Sequence, residues 1–240
     1  MKKIFSYFYL VFISIFFSLF LTFNFLNVSK CFAENSDRIN SDIINSDIIN
    51  SDSILDKVQN NYKNIKTIIA TFNQHSHSEA LGEDEKSSGV FKALIPNNIK
   101  VEYKMPKSQV YLITDKELTF INDSDMQVVK DNADVVLKSK VPLTFLAGVG
   151  DVRKDFKILK INIEKDAYKF DLEPKDEGEI ESLSLWIDKK AMIVNKLFVK
   201  ELGANTILFE LSDIVVNKNV SDKDFKIDIP KGYDLIDNRN

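Results

Sequence analysis

The fold of this chain is predicted most directly from the stretch Gly89–Phe120, GVFKALIPNNIKVEYKMPKSQVYLITDKELTF. Apolar and aromatic residues alternate in it with charged ones, which is the pattern of strands with one buried face. The alternation breaks at Pro96, at Pro106 and at Asp115–Lys116, where turn-forming residues separate four short runs. Because connections this short join antiparallel neighbours, the stretch predicts four consecutive antiparallel strands of one sheet.

The same two-residue period continues through most of the chain after residue 64. It predicts a strand near Phe225–Ile227 and eleven earlier strands at residues 68–78, 87–93, 99–103, 109–114, 117–122, 127–130, 156–164, 167–173, 182–188, 193–201 and 206–216. A long antiparallel sheet curls into a partial barrel. We therefore expect a mainly β protein with a few short helices, built as an open antiparallel β-barrel, that is, a curved sheet.

Two segments have the pattern of helices. Ser53 is a good helix start with Asp56 three residues later, and apolar residues follow at helical spacing, which predicts an amphipathic helix of about 10 residues. In the middle of the chain, Pro142 suits a first helical turn and Gly148 a stop, so a short helix or turn is expected over residues 141–148.

The N-terminus has the pattern of a secretory signal peptide. Lys2 and Lys3 precede an apolar run that begins at Ile4, and the segment closes on Cys31-Phe-Ala33. We expect residues 1–33 to be a signal peptide that directs the protein to the periplasm. The apolar run is also long enough to span a bilayer, so an uncleaved anchor is the alternative.

Residues 34–52 form the next predicted unit, because the chain repeats itself there as SDRIN, SDIIN and SDIIN. A five-residue period matches neither a helix face nor a strand face, which favours a flexible linker. A short strand or a partner-binding arm is the alternative. The remaining residues, 53–240, have the length of a single domain.

Cleavage after residue 33 changes both the cysteine content and the charge. It removes the only cysteine, which excludes a disulfide framework, a Cys-ligated metal and a Cys nucleophile in the mature chain. It also leaves 29 basic against 36 acidic side chains, a net charge of −7. That balance argues against a nucleic-acid partner.

The sequence offers little that points to catalysis or to a metal. His75 and His77 are the only histidines, and zinc bound between them would need a third ligand such as Glu79 or Glu83. The chain has no nucleophile elbow, no phosphate-binding loop and no dinucleotide fingerprint. We expect surface histidines, no metal or other cofactor, and no enzymatic activity.

The excess of large apolar side chains on the predicted strands has two interpretations. The simpler one is an ordinary hydrophobic core. The alternative is a concave face that the short helices do not fill, which would be a site for an apolar ligand.

The order of several motifs resembles the outer-membrane lipoprotein carrier family (LolA). No single motif is strong, but their order spans about residues 53–235. In sequence order the motifs are Ile68-Ile-Ala-Thr-Phe-Asn-Gln74, Gly89-Val-Phe91, Pro96-Asn97, Ile99-x-Val-x-Tyr103, Pro106, Thr114-Asp115, Pro142-Leu-Thr-Phe-Leu146, Leu183-Ser-Leu-Trp-Ile-Asp188 and Phe225-Lys-Ile-Asp-Ile-Pro-Lys-Gly232.

The resemblance implies an open barrel under a helical lid, with the acyl chains of a lipoprotein held in the apolar space between them. It implies a monomeric carrier that takes acylated lipoproteins from an inner-membrane lipoprotein-releasing ABC transporter and delivers them to an outer-membrane lipoprotein receptor. The candidate cavity residues are Phe72, Phe91, Ile99, Val101, Tyr103, Leu112, Leu118, Phe120, Leu143, Phe145 and Leu146. The alternative function is a periplasmic sensor or regulatory module that binds lipid or peptide on the same scaffold without transporting it.

The sequence departs from the family pattern at the lid. Many family members carry an Arg just before the first Pro, where it ties the lid shut; here Leu94 and Ile95 precede Pro96. We therefore expect the lid to be held in this latch region by apolar contacts alone, so that closure is insensitive to salt. The resemblance also makes Ile99 the candidate for the surface that meets the transporter, and Ile99→Glu is expected to abolish delivery.

Overall fold

The structure is a computed structural model that describes residues 41–96, 98–133, 141–148 and 150–239, without the side chains of residues 41–50, 141–143 and 222. The predicted signal peptide, residues 1–33, and the start of the predicted linker lie outside the described residues. So does the side chain of Leu143, which the sequence places in the candidate cavity.

Twelve strands account for most of the described chain. Their bounds are β1 Thr67–Ser78, β2 Glu83–Leu94, β3 Asn98–Met105, β4 Gln109–Ile113, β5 Glu117–Asn122, β6 Gln127–Asn132, β7 Phe156–Ile163, β8 Ala167–Pro174, β9 Ile180–Asp188, β10 Val194–Glu201, β11 Thr206–Val216 and β12 Asp234–Asp237. The first eleven agree with the predicted strands to within a few residues at each end.

The strands form one sheet in the order β12-β6-β5-β4-β3-β2-β1-β11-β10-β9-β8-β7. Every described pairing is antiparallel except that between β12 and β6. The sheet is open, because β12 and β7 lie at its two ends in this order and not beside each other. The predicted mainly β fold with a single open antiparallel sheet is confirmed.

Register places alternate residues of each strand on one continuous face, because residues directly opposite each other share a face. Phe72 lies opposite Gly89 on β2 and Leu211 on β11, and Phe91 lies opposite Val101 on β3. We call this the interior face. Its buried apolar residues are Ile68, Ala70, Phe72, Phe91, Ala93, Ile99, Val101, Tyr103, Tyr111, Ile113, Leu118, Phe156, Phe170, Leu172, Leu183, Leu185, Ile187, Leu197, Val199, Phe209 and Leu211.

The first helix, α1, spans Ser41–Tyr62 and begins twelve residues before the predicted start at Ser53. The predicted linker is therefore helical, not flexible, from residue 41 onward. The physical reason lies in the isoleucine pairs of the repeat. One isoleucine of each pair, Ile44 and then Ile48, continues the helical spacing of Leu55 toward the N-terminus, at intervals of four and seven residues.

Two short helices, α2 at Val141–Leu146 and α3 at Val152–Asp155, connect the two parts of the sheet. The prediction of a short helix over residues 141–148 is confirmed. The Asp151 side chain caps α3 by accepting hydrogen bonds from the backbone N–H groups of Arg153 and Lys154. In the described part of the chain, no helix is both long and apolar enough to cross a membrane.

The C-terminal segment differs from the prediction. The sequence predicts a strand near Phe225–Ile227, but a 3₁₀ helix, Asp222–Phe225, ends there and residues 226–230 form neither helix nor strand. The Asp224 carboxylate accepts hydrogen bonds from the backbone N–H and the hydroxyl of Ser221, which favours the helical turn. The last strand is β12, which is solvent-exposed along its length and pairs parallel to β6.

Candidate apolar binding site

Most of the residues predicted to line a cavity lie on the interior face. Phe72, Phe91, Ile99, Val101, Tyr103 and Leu118 are buried there, and Phe120 is half-buried. Phe145 and Leu146 of α2 are buried as well. The structure thus brings together side chains from four strands, β1, β2, β3 and β5, and from one helix, which share no local signal in the sequence other than their alternation.

Aromatic rings form a continuous chain across the interior face. Phe209 stacks on Phe72 at a centroid distance of 4.7 Å, and Phe72 meets Tyr103 edge-on at 4.9 Å. Tyr103 then contacts Tyr111 at 5.9 Å, and Tyr111 stacks on Phe120 at 4.4 Å. Such pairs are stabilising beyond the apolar area that they bury. The chain of rings makes this part of the interior face apolar.

Gly89 allows the rings of Phe72 and Tyr103 to meet across β2. A Cβ atom at residue 89 would lie 1.9 Å from the backbone oxygen of Glu102 and 2.9 Å from the Phe72 ring. Both distances are shorter than any ordinary contact, so any residue with a side chain would push β2 and β3 apart at this point. The Gly-x-Phe motif of the sequence is thus explained by close packing inside the sheet.

A short hydrogen-bonded chain of polar groups begins at Tyr103, the middle ring of the aromatic chain. The Tyr103 hydroxyl donates to Gln74 Oε1 at 2.7 Å, and Gln74 Nε2 donates to Ser76 Oγ at 2.8 Å. All three side chains are buried. Burial raises the pKa of Tyr103, and the charge of Glu85 raises it further. Burial also raises the pKa of Tyr111 well above its usual range, with a smaller contribution from Tyr103. Both phenols are therefore protonated at neutral pH.

Leu112, a predicted cavity residue, lies on the opposite face of the sheet. It lies opposite Lys100 on β3 and Thr119 on β5, on the face away from Val101. The interior positions of β4 belong instead to Tyr111 and Ile113, which the sequence analysis omitted. Residues 110–113 are all apolar, so the run has no alternation from which the orientation could be predicted.

Helix α1 covers part of the interior face. Its residues Leu55, Val58 and Tyr62 are buried, and they line a pocket together with Leu185 and Ile187 of β9. The Tyr62 hydroxyl accepts a hydrogen bond from the Val194 N–H at 3.2 Å, where a β-bulge interrupts the pairing of β10 with β9. Burial raises the pKa of Tyr62 above its usual range. Helices α1 and α2 are the described part of the lid.

Polar contacts also hold the lid, which corrects the expectation of apolar contacts alone. The Arg153 guanidinium of α3 donates to Asp56 Oδ1 at 2.7 Å and to Gln59 Oε1 at 2.6 Å, both on α1. Farther along α1, Asn61 Nδ2 donates to the Ala191 carbonyl in the β9–β10 turn at 2.8 Å. The sequence does not indicate this role for Arg153, because the family resemblance places an arginine latch before Pro96, on a different element.

Helix α3 is itself fixed to the sheet. Lys175, which follows β8, donates its ammonium to the Arg153 carbonyl at 2.6 Å and its backbone N–H to the Asp155 carbonyl at 3.0 Å. The contact between Arg153 and α1 therefore links the lid to the edge of the sheet.

The pocket beneath α1 is small. Its volume is about 30 Å³, room for one or two water molecules. Apolar side chains from α1, from residues 145–152 and from β9 and β10 line it. The pocket as it stands cannot hold an acyl chain, so a larger apolar site under α1 requires the helix to move.

The predicted latch region lies beside the link between α1 and β1. The Ile95 N–H donates to the Lys66 carbonyl at 2.9 Å; Leu94 and Ile95 are half-buried, and Pro96 is exposed. Ile99, the candidate for contact with a transporter, is only 4% exposed. Ile99 is therefore not on the surface, which corrects that expectation.

His75 and His77 lie on the exterior side of β1, near the β1–β2 turn. His77 Nδ1 is 2.9 Å from Asp84 Oδ1, and that hydrogen bond is the main reason that the pKa of His77 is raised. His75 Nε2 is 3.6 Å from the same carboxylate oxygen. Within the described ranges, no group of three or more His, Cys, Asp and Glu side chains is placed to hold a metal ion.

Comparison with known proteins identifies the family. Residues 63–228 match the family model described as outer membrane lipoprotein carrier protein LolA. The match covers all of β1 to β11, and therefore the whole interior face. Two relatives, both called outer-membrane lipoprotein carrier protein, extend the similarity.

The relative from Hahella chejuensis is 26% identical over 185 residues, which are 76% of this chain and 87% of the relative. The relative from Nitrosospira multiformis is 26% identical over 176 residues, 72% of this chain and 84% of the relative. Among solved structures, an uncharacterized conserved protein from Thermus thermophilus superposes with a TM-score of 0.52 at 15% identity, over 78% of this chain and 99% of that one. This last similarity concerns the fold alone.

Proposed function

The chain belongs to the outer-membrane lipoprotein carrier (LolA) family, and on that basis we propose that it is a periplasmic carrier of lipoproteins. In this proposal it binds the acyl chains of lipoproteins released from the inner membrane and delivers them to the outer membrane. An inner-membrane ABC transporter would supply the cargo and an outer-membrane receptor would accept it.

The observation that carries the proposal is the largely apolar interior face beneath a helix fixed by a few polar contacts. Each buried CH₂ group of an acyl chain contributes about 0.8 kcal/mol, so a triacylated protein in water faces a cost of tens of kcal/mol. The aromatic chain from Phe209 to Phe120 supplies an apolar surface for those chains. Binding would depend on apolar area, and no specific polar contact to the acyl chain is required.

In this proposal, the arrangement in which α1 packs over β9 and β10 is the closed, unloaded form of the carrier. A carrier of this kind exposes little apolar surface when it is empty, because α1 and α2 occupy the space that the cargo would take. Loading would move α1 away from β9 and β10 and break the contacts of Arg153 and Asn61. Those contacts are few and partly exposed, so acyl-chain burial can offset their loss.

The test is the release of a newly made, radiolabelled lipoprotein from spheroplasts. The mature protein should transfer the lipoprotein from the spheroplast membrane to the medium as a soluble complex. The matched control is Phe72→Asp, which places a charge in the centre of the aromatic chain and should abolish release. Circular dichroism shows whether the variant folds, and Val101→Gln is the milder substitute if it does not. A folded wild-type protein that releases no lipoprotein would overturn the proposal and favour a sensor that only binds lipid or peptide.

A further inference from the structure

The interior face becomes polar toward the end of the sheet that carries the β1–β2 turn. Five of the nine buried polar side chains in the described chain lie on this part of the face. They belong to β1, β2, β4 and β5, and register places each of them opposite another polar residue or opposite Tyr103 of β3. With the half-buried Glu85 they form what we call the polar row, which consists of Gln74, Ser76, Glu85, Ser87, Gln109 and Asn122.

The boundary between the apolar and the polar part of the interior face is aligned across the strands. On β1, Phe72 is followed on this face by Gln74. On β5, Phe120 is followed by Asn122. On β3 the boundary falls within one side chain, because the Tyr103 ring belongs to the aromatic chain and its hydroxyl donates to Gln74. A boundary of this kind fits a ligand with an apolar tail and a polar head.

Glu85 is the carboxylate of the polar row, and in the described part of the chain no basic side chain forms an ion pair with it. It accepts a hydrogen bond from the Ser87 hydroxyl at 3.0 Å. Burial, and after it the charge of Glu85, raises the pKa of Tyr103, so the carboxylate acts on the boundary itself. The polar row contains no lysine, arginine or histidine. A half-buried carboxylate without a cation beside it can accept a charged hydrogen bond from a ligand.

Gln109 provides an amide that the protein does not use. Its side chain is only 6% exposed, and it makes no side-chain hydrogen bond to any residue that the structure describes. Gln74 and Asn122, by contrast, are hydrogen-bonded within the protein. A buried polar group without a partner is costly, so a carbonyl oxygen that reached Gln109 would bind favourably.

The N-terminus of a lipoprotein has the chemistry that these two side chains require. Its acyl chains are esterified to a glycerol on the N-terminal cysteine, so ester carbonyls lie next to the tails. The α-amino group of that cysteine is protonated at neutral pH when it is free, and uncharged when it is acylated. An aminophospholipid fits less well, because its phosphate would lie near Glu85 with no basic residue of the polar row to neutralise it.

We propose that the polar row is a head-group subsite that selects diacylated lipoproteins with a free α-amino group over N-acylated ones. The α-ammonium donates to Glu85, the Gln109 amide donates to an ester carbonyl, and the acyl chains lie along the aromatic chain. The inference rests on the proposed function, because it names the class of lipoprotein that the interior face carries.

The test compares two lipopeptides that differ only at the α-amino group. Both contain S-dipalmitoylglyceryl-cysteine and a C-terminal fluorophore; one has a free α-amino group and the other is N-acetylated, which removes the charge without adding an acyl chain. Fluorescence anisotropy measures their binding to the mature protein. The wild type should bind the free amine about 10-fold or more tightly than the acetylated form, as expected for a hydrogen bond between charged groups.

Variants of the polar row assign this preference to its residues. Glu85→Gln should remove the preference and keep the affinity for the acetylated lipopeptide, which also shows that the variant is folded. Gln109→Leu should weaken both lipopeptides by about 2- to 10-fold and keep the preference. The matched control is Asp84→Asn, which removes the same charge from the adjacent residue on the exterior side and should behave as the wild type. Equal loss of preference in Asp84→Asn and Glu85→Gln would overturn the proposal, because the effect would then be one of net charge.

The wild-type measurements separate failure of the subsite from failure of the carrier function. Equal affinities for the two lipopeptides would overturn the selection by Glu85 and leave the carrier function intact. Binding of neither lipopeptide would overturn the carrier function together with the subsite. A competition experiment tests the source of the ammonium: short-chain phosphatidylethanolamine should displace the lipopeptide no better than the matching phosphatidylcholine. Stronger displacement by phosphatidylethanolamine, lost in Glu85→Gln, would identify an aminophospholipid as the ligand and overturn the proposal.

Discussion

Tyr62 of the lid helix packs directly against Gly148, at the end of the segment that carries α2. A Cβ atom built on Gly148 would lie 1.9 Å from Tyr62 Cδ1, and the φ of Gly148 is +70°. Both the ring and the backbone therefore require glycine here. This contact joins the two described parts of the lid to each other, and the Tyr62 hydroxyl joins them to β10.

Gly148→Ala should open the lid. The added methyl group displaces the Tyr62 ring, and the left-handed backbone is strained for alanine, so we expect a loss of about 1–3 kcal/mol of stability. We also expect stronger fluorescence of an apolar dye such as bis-ANS, because the interior face becomes accessible. Urea unfolding and dye titration measure the two effects. The matched control is Gly178→Ala, whose Cβ would meet nothing within 4 Å. Similar effects at both glycines would contradict the role given to the Tyr62 contact.

Arg153→Ala should loosen the lid without unfolding the protein. The change removes the contacts to Asp56 and Gln59, and partly exposed pairs of this kind contribute about 0.2–1 kcal/mol, so bis-ANS affinity should rise by up to about 5-fold. Salt screens the ion pair, so added salt should raise dye affinity more in the wild type than in the variant. Lys200→Ala, which removes a similarly exposed pair with Glu181, is the control. An identical salt response in wild type and Arg153→Ala would show that the pair does not hold the lid.

Tyr103→Phe should cost about 1–3 kcal/mol of stability although the ring remains. The variant leaves Gln74 Oε1 buried without the phenol that donates to it at 2.7 Å, and an unsatisfied buried acceptor carries that penalty. Urea unfolding measures the loss. Tyr168→Phe, at a half-buried position on β8, is the comparison and should change stability by less. Equal stabilities of Tyr103→Phe and the wild type would mean that water satisfies Gln74.

Stability should fall in alkaline solution because three tyrosines are buried. Burial raises the pKa of Tyr62, Tyr103 and Tyr111 in the folded state above the unfolded value near 10. Their contribution is therefore fully present below about pH 10 and is lost as the pH rises toward the folded pKa, by up to about 1.4 kcal/mol per pH unit for each group. Urea midpoints above pH 10 should fall less steeply in Tyr111→Phe. Ionisation of all tyrosines near pH 10 in a folded protein, seen by ultraviolet absorbance, would contradict their burial.

The strands could be predicted because their signal is local. Alternation on β3, with Ile99, Val101 and Tyr103 against Lys100 and Glu102, results directly from one buried and one exposed face. β12 has no such signal, since its four residues are all exposed and its pairing with β6 depends only on the backbone. The start of α1 at Ser41 cannot be predicted from the repeat, because its five-residue period conceals the helical spacing of one isoleucine in each pair.

Most residues of the interior face could be predicted from the sequence, but the contacts that hold the lid helix could not. Alternation identifies Phe72, Val101 and Leu118 as interior residues, whereas residues 110–113 of β4 are all apolar and lead to Leu112 in place of Tyr111. The contact from Arg153 to Asp56 joins residues 97 positions apart in the sequence. Such a contact leaves no repeating pattern in the sequence, because it depends on how α3 and α1 pack in three dimensions.

The most direct test of the central claim is photo-crosslinking to the acyl chain of a bound lipoprotein. A photoreactive amino acid at Leu118, on the interior face, is compared with one at Leu112, on the opposite face; the two side chains are 3% and 6% exposed. We expect a lipoprotein with radiolabelled fatty acids to crosslink at Leu118 and not at Leu112. Crosslinking at Leu112 alone, or at neither position in a protein that carries lipoprotein, would contradict an acyl-chain site on the interior face.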